Sequence, residues 1–297
     1  MISVLIPVRN HDPSDLAEAL SLQLSAAAQP FEILISDDSD QEAALRLKPR
    51  LETIPGVTFH CRQNPLGRSA NRNFLAGEAR YPYLLFADGD AGVASADFIS
   101  IYLKNLDPES VLCGGTRYSD TMPGNPEQLL RWKYGKCREQ KPAADRNLHP
   151  WKSFSTFNFV IPADLFRSIG FDETIRGYGH EDTIFGIRLH ESGVPIRHLD
   201  NGLCHLGLET AAEYLAKTRE SAVNLRSLHE RNLIPPKYIN DIALLDTWIS
   251  LKKIGLDKPV GAWFASRRHF AENRLGGPNP SIRLLDLYKL GAISHIG

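Results

Sequence analysis

Asp88 and Asp90 stand either side of Gly89, directly after the apolar run Leu84-Leu85-Phe86-Ala87. Carboxylates so spaced can address one hard divalent cation, because Mg2+ and Mn2+ favour oxygen ligands and can bridge to a diphosphate. The alternative is a plain turn, for which Asp and Gly are ordinary residues. A second acidic pair, Asp37-Asp38, follows an apolar stretch at residues 31–35. A third, Glu181-Asp182, follows Gly177-Tyr178-Gly179-His180 and opens a helix-like stretch. The two glycines permit close backbone approach. A helix N-terminus favours carboxylates on electrostatic grounds alone, so this pair is readable as first-turn acids or as chemistry.

The elements that must hold these pairs alternate along the chain. Residues 2–8 are a short β-branched apolar run, as a strand buried on both faces requires. Asp12-Pro13 predicts an N-cap with proline at the first helical position, and Leu16, Leu20 and Leu24 recur on the helix that follows. A second strand is predicted over 31–35, a short helix capped by Asp40 and limited by Pro49, and a third strand over 57–60. A helix over 67–79, a strand over 83–87, a helix over 97–105 and a strand over 111–113 complete the run. Such repetition predicts a mostly parallel sheet with helices on both faces. Ligands bind such sheets at the carboxyl ends of the strands, where Asp37, Asp38, Asp88 and Asp90 all fall.

From 118 to 153 the chain is irregular, with prolines around a helix-like piece at 127–139, and reads as a lid or binding loop. A strand over 157–161, a helix over 181–191 and a strand over 195–199 follow. Beyond 210 only helices are predicted, over 211–228, 238–253 and 262–273, and Gly276-Gly277-Pro278-Asn279-Pro280 breaks the chain before a last one.

Composition narrows the functional classes. The 297 residues suit one large α/β domain or a catalytic domain with an appendage. With 42% hydrophobic residues, the chain can bury a substantial core. A net charge of -1 gives no reason to expect a nucleic-acid partner. Cys61, Cys113, Cys137 and Cys204 are far apart with no C-x-x-C pair, which gives little support to structural zinc or redox chemistry. The N-terminal apolar run is too short for a signal peptide or a membrane span, so a cytoplasmic, reducing setting is expected.

Five segments in order carry a specific resemblance. They are Ser3-Val4-Leu5-Ile6-Pro7-Val8-Arg9-Asn10, Glu32-Ile33-Leu34-Ile35-Ser36-Asp37-Asp38-Ser39, Gly67-Arg68-Ser69-Ala70-Asn71-Arg72-Asn73, Asp88-Gly89-Asp90, and Gly177-Tyr178-Gly179-His180-Glu181-Asp182. Together they resemble the family 2 glycosyltransferases, which have the GT-A fold, from residue 2 to about 209. The resemblance implies a GT-A catalytic domain over 1–210, with a nucleotide-binding half to about 115 and an acceptor half beyond it. Residues 211–297 would be a helical extension.

The implied reaction is transfer of a sugar, with inversion, from a nucleotide-sugar donor (a UDP-sugar) to a hydroxyl of a glycan or other acceptor. A polysaccharide or surface-glycan pathway follows by analogy alone. By the same resemblance Pro7 and Arg9 lie where the first strand meets the nucleotide, and Asp38 or Asp37 binds the base. That role suits a carboxylate, which only accepts hydrogen bonds; the alternative is that one of the pair caps the helix near Asp40. Arg68 lies near the nucleotide or is a solvated first-turn arginine. Asp88 faces the ribose or a metal-bound water, Asp90 ligates Mn2+ or Mg2+, and His205 completes the metal site. Asp182 is the general base, with Glu181 holding sugar hydroxyls.

Phe154-Ser155-Thr156-Phe157-Asn158-Phe159 resembles the donor-sugar segment, with Thr156 and Asn158 on one face. Trp132, Tyr134 and Trp151 either stack on an acceptor sugar or pack in the core. The resemblance assigns no role to His180 or His198.

Two rival readings share this scaffold. A sugar nucleotidyltransferase needs a Gly- and basic-rich loop after the first strand, and residues 7–12 lack such glycines. A catalytically silent sugar- or partner-binding protein has no need of Asp88, Asp90, Glu181 and Asp182 together. A nicotinamide enzyme is disfavoured because no G-x-G-x-x-G follows the first strand. In the tail, Trp263, Phe264, Arg267, Arg268 and Phe270 are expected to pack on the catalytic domain. Contact with a partner, or peripheral contact with a membrane at its inner face, is the other reading.

Overall fold

The computed structural model describes residues 1–295. The chain divides into two compact units. The first comprises Met1–Tyr118, Glu139–Arg176 and Glu181–Gly207; the second comprises Ser119–Arg138, Gly177–His180 and Leu208–Gly297, the last described only to residue 295.

The first unit is built on strands β1 (Ile2–Val8), β2 (Phe31–Asp37), β3 (Val57–Cys61), β4 (Tyr83–Ala87), β5 (Ala91–Gly92), β6 (Val111–Cys113), β7 (Thr116–Arg117), β8 (Asn158–Pro162), β9 (Ile196–His198) and β10 (Leu203–His205). Among the described residues, seven of these form one sheet in the order β3-β2-β1-β4-β8-β6-β9. Pairing is parallel throughout except where β8 runs against β4 and β6. This is the mostly parallel α/β sheet the pattern predicts. A second sheet, β5-β10-β7, is made of strands two or three residues long, too short to show a period in the sequence.

Alternation along β1 divides the core. Ile2, Val4, Ile6 and Val8 point into one cluster with Leu16, Leu20 and Leu24 of α1 (Ser14–Ala26). Leu5 points into the other, with Leu75 of α3 (Arg68–Glu78), Phe86 and Phe159 of the sheet, and Phe185 of α8 (Glu181–Glu191). Phe86 stacks on Phe159 at 4.7 Å, and Phe171 on Phe185 at 4.3 Å. These rings fasten α8 to the sheet and so fix where its first turn lies.

Several boundaries differ from expectation. Asp12 accepts from the Ser14 N–H at 2.9 Å, but the helix starts one residue later than predicted, leaving Pro13 at the N-cap. In α2 (Gln41–Leu51) Pro49 sits inside the helix. It is tolerated in the last turn, where it removes one backbone bond from a helix about to end. The helices α4 (Phe98–Asn105), α6 (Ala143–Asn147) and α7 (Ala163–Ile169) complete this unit.

The second unit contains α5 (Leu129–Tyr134), α9 (Ala211–Glu230), α10 (Ala243–Lys253), α11 (Asp257–Leu275) and α12 (Ile282–Ser294). The helix expected over 127–139 is a short α5 preceded by a 3-10 turn at Pro126–Gln128 and followed by a π-turn at Gly135–Glu139. Thr210 and Glu213 close a capping box at the start of α9. α11 begins five residues before expectation because Pro259 lies in its first turn, where the missing N–H has no helical partner to lose. Phe264 is buried, its ring 5.1 Å from Tyr288 of α12. Trp263 and Phe270 are 43% and 62% exposed, so packing accounts for Phe264 and not for them.

Candidate active site

The acidic residues are presented by the ends of β2 and β4 and by the first turn of α8. Gly89 is required between the two aspartates. A Cβ there would lie 2.8 Å from Val8 Cγ2 and 3.2 Å from the Pro7 carbonyl oxygen. The Gly89 N–H donates to that same oxygen at 3.2 Å, which fastens the turn to the end of β1. Beyond it, the Leu206 N–H donates to the Asp90 carbonyl at 3.0 Å and joins this turn to β10.

His205, on β10, is buried, with Nε2 3.1 Å from Asp90 Oδ2. Its Nδ1 is buried without a hydrogen-bond partner. A Cβ at Gly207 would come within 2.8 Å of Asp90 Oδ2, so only glycine leaves that carboxylate room. Burial pushes the Asp90 carboxyl up, but the His205 hydrogen bond and the His205 and His11 charges outweigh it, and the net displacement is downward. Carboxylate oxygen and imidazole nitrogen are a donor set that suits Mn2+. Among the described residues, no three or more His, Cys, Asp or Glu side chains are arranged to hold an ion by themselves.

Arg72 ties the pairs together. It lies on α3, only 3% exposed, and its Nη2 donates to Asp88 Oδ1 at 2.7 Å. Its Nη1 is 3.7 Å from Glu181 Oε1, and the Arg68 Nη1 is 3.4 Å from the same oxygen. The Arg72 Nε is buried and makes no hydrogen bond. Asp88 keeps 24% of its side-chain surface exposed beside this guanidinium. Burial raises the Asp88 carboxyl, opposed by Arg72 and reinforced by Asp90. Asp182 is pushed up to about 6 by burial first and then by the adjacent Glu181 charge. Its Oδ1 accepts from the Thr183 N–H at 2.7 Å. The preceding segment is held within the second unit: Glu220 accepts from the Tyr178 N–H at 2.9 Å, and Asn224 donates to the Gly179 carbonyl at 2.6 Å.

The other predicted residues fall as follows. Asp38 is buried and accepts from the Leu66 and Gly67 N–H groups, at 2.7 Å each. Asp37, also buried, accepts from the Ser39 N–H at 2.8 Å. Neither carboxylate caps α2; Asp40 does so itself, through the Glu42 N–H. Pro7 is half-buried, Thr156 is buried and Arg9 is exposed. Asn158 is buried with its amide committed to protein, accepting from the Tyr102 hydroxyl at 2.7 Å and donating to the Asn201 carbonyl at 2.8 Å and the Gly115 carbonyl at 3.3 Å. Trp132 donates to the Ser119 carbonyl at 2.8 Å, Tyr134 meets Tyr214 at 5.7 Å, and Trp151 stacks on His190 at 5.8 Å.

A profile of the family described as Glycosyl transferase family 2 matches residues 3–166, more than half of the chain. The chain belongs to that family. Its relatives include the validoxylamine A glucosyltransferase of Streptomyces hygroscopicus subsp. limoneus, 27% identical over an alignment of 224 residues that covers 66% of this chain and 49% of that one. The chondroitin synthase of Pasteurella multocida is 25% identical over 238 residues, covering 69% of this chain and 24% of that one. The chain thus spans about half, or less, of these relatives. Among solved structures, a mannosyltransferase from Pyrobaculum calidifontis in complex with GDP-Man and Mn2+ superposes with a TM-score of 0.61 at 15% identity, covering 99% of this chain and 85% of that one. S. aureus TarS in complex with UDP superposes at 0.51 and 15% identity, covering 99% and 88%. The architecture is therefore the GT-A fold, with helices after the catalytic sheet.

Arg72 is the residue that sequence reasoning passed over, although it lies inside a quoted motif. The available signal was its position four residues after Arg68 and three or four before the apolar Leu75 and Ala76, which puts it on the buried face of α3.

Proposed function

We propose that the chain transfers a sugar from a nucleotide-sugar donor, with a uridine diphosphate leaving group, to an acceptor hydroxyl by single displacement with inversion. The observation that carries this reading is the Arg72 guanidinium between Asp88 and Glu181, which joins the strand-end aspartates to the first turn of α8.

Asp182 supplies the base. With its carboxyl raised to about 6, it is ionised at neutral pH yet basic enough to accept a proton. As the acceptor oxygen bonds to the anomeric carbon, the bond from that carbon to the diphosphate oxygen breaks, and the acceptor proton passes to Asp182. Glu181, held by Arg68 and Arg72, orients sugar hydroxyls, and Asp38 with Pro7 and Arg9 borders the nucleotide. Asp90 and His205, with Asp88 beside them, would hold a divalent cation, which when bound would supply positive charge opposite the departing diphosphate. Arg72, 2.7 Å from Asp88 and 3.7 Å from Glu181, holds the two acids in register.

The test is a panel of nucleotide sugars incubated with Mn2+, with and without chelator. Release of nucleoside diphosphate from one donor, lost on chelation, is expected, and the transferred sugar should carry the anomeric configuration opposite to the donor's. Retained configuration would remove the single displacement. No binding of any nucleotide in calorimetry would remove the transferase.

A further inference from the structure

We infer that the outer face of α11, with the turn that leads into it, is a docking surface for an anionic phospholipid bilayer. Leu256, Val260, Trp263, Arg267, Phe270 and Arg274 recur at intervals of four and three, which places them on one side of the helix. That stripe is about 27 Å long at 1.5 Å per residue. Its large apolar members are turned to solvent: Leu256 at 46%, Trp263 at 43%, Phe270 at 62%, and Ile254 in the adjoining turn at 68%. Exposed apolar side chains scattered singly mean little, but four on one face of a helix and its leading turn form a patch.

The charge around the patch selects the occupant. Residues 252–275 hold six Lys and Arg against two acids, Asp257 and Glu272. Glu272 is already engaged inside the unit by Arg219 at 2.6 Å, with Arg268 at 3.7 Å. Lys253, Lys258, Arg267 and Arg274 are exposed and have no carboxylate within ion-pair distance among the described residues. Basic side chains flanking exposed Trp, Phe, Leu and Ile match anionic headgroups above an acyl boundary. A face about a quarter-turn round the helix is spent on the fold, where Gly261, Phe264, Ala271 and Leu275 are buried. Docking therefore needs no unfolding. Among the described residues no helix is long and apolar enough to cross a membrane, so the proposed contact is with the surface.

Co-sedimentation of the full chain with vesicles of phosphatidylcholine alone, and with about one-third phosphatidylglycerol, tests this proposal. Binding is expected only to the anionic vesicles and should weaken as salt rises. Trp263→Ser with Phe270→Ser, and separately Lys253→Glu with Arg267→Glu, should each lower partitioning at least tenfold, at unchanged circular dichroism. Loss of vesicle binding with donor turnover in solution unchanged would keep this surface separate from the active site. Absence of binding at low salt, or binding unaffected by either pair, overturns the proposal. So does a wild-type dimer in sedimentation velocity that Trp263→Ser dissolves, because the patch then belongs to a second copy.

Discussion

The first unit buries two arginines, Arg72 and Arg146, at 3% and 5% exposure, and uses them in opposite ways. Arg146 faces carbonyl oxygens. Its guanidinium donates to Lys141, Cys113, Gly114 and Leu199 at 2.7–3.2 Å, and to Nδ1 of His198 at 2.7 Å. Burial and the Arg146 charge hold that histidine at about 4, so it is neutral and accepts the bond, while its Nε2–H donates to the Pro150 carbonyl. Arg72 faces carboxylates, keeps a buried Nε without a hydrogen bond among the described residues, and touches one acid, Asp88, that stays partly open to solvent. A guanidinium whose donors are all taken up by backbone carbonyls and a buried imidazole is a cross-brace. One left short of partners among acids can be completed by a bound ligand, as the proposed site requires.

The contrast can be sharpened by substitution. Asp182→Asn should show the largest effect, a loss of about 10²–10⁴ in turnover, as removal of a general base does. Donor binding by calorimetry should survive, and loss of binding instead would make Asp182 a ligand-holding residue. Arg146→Ala should act on stability, costing about 3 kcal/mol or more, since several buried carbonyls lose their donor at once. Chemical denaturation measures it; an unshifted midpoint would show that water replaces the guanidinium. The smallest change is a displaced pH profile. Because a general base must be ionised to act, the proposed role of Asp182 requires the rate to rise with pH through about 6 and then level. The Arg72 charge lowers the Asp182 pKa, so Arg72→Gln should move that limb to higher pH and let activity recover as pH is raised. An unmoved limb would separate Arg72 from the base.

Adjacency decided what could be read in advance. Asp88 and Asp90, and Glu181 and Asp182, are neighbours in sequence, and the apolar runs before the strand-end pairs are long enough to show their period. The buried faces of β1 and α1 were legible for the same reason. What could not be read depends on long-range partners: Asn158 is an ordinary polar residue in a strand until Tyr102 and Asn201 are folded beside it. The small sheet that carries His205 has strands too short for any pattern, so only the family resemblance pointed to that histidine. Trp263 and Phe270 look like core residues because composition does not say which side of a helix is covered.

The most direct test is the rate of nucleoside diphosphate release from the accepted donor with Mn2+, for the wild-type chain and for Asp90→Ala. A drop of at least about 10²-fold with an unchanged melting temperature is predicted, since Asp90 and His205 are proposed to hold the ion that stabilises the departing diphosphate. An undiminished rate in the variant would contradict the assignment of Asp88, Asp90 and His205 as the ion-holding group.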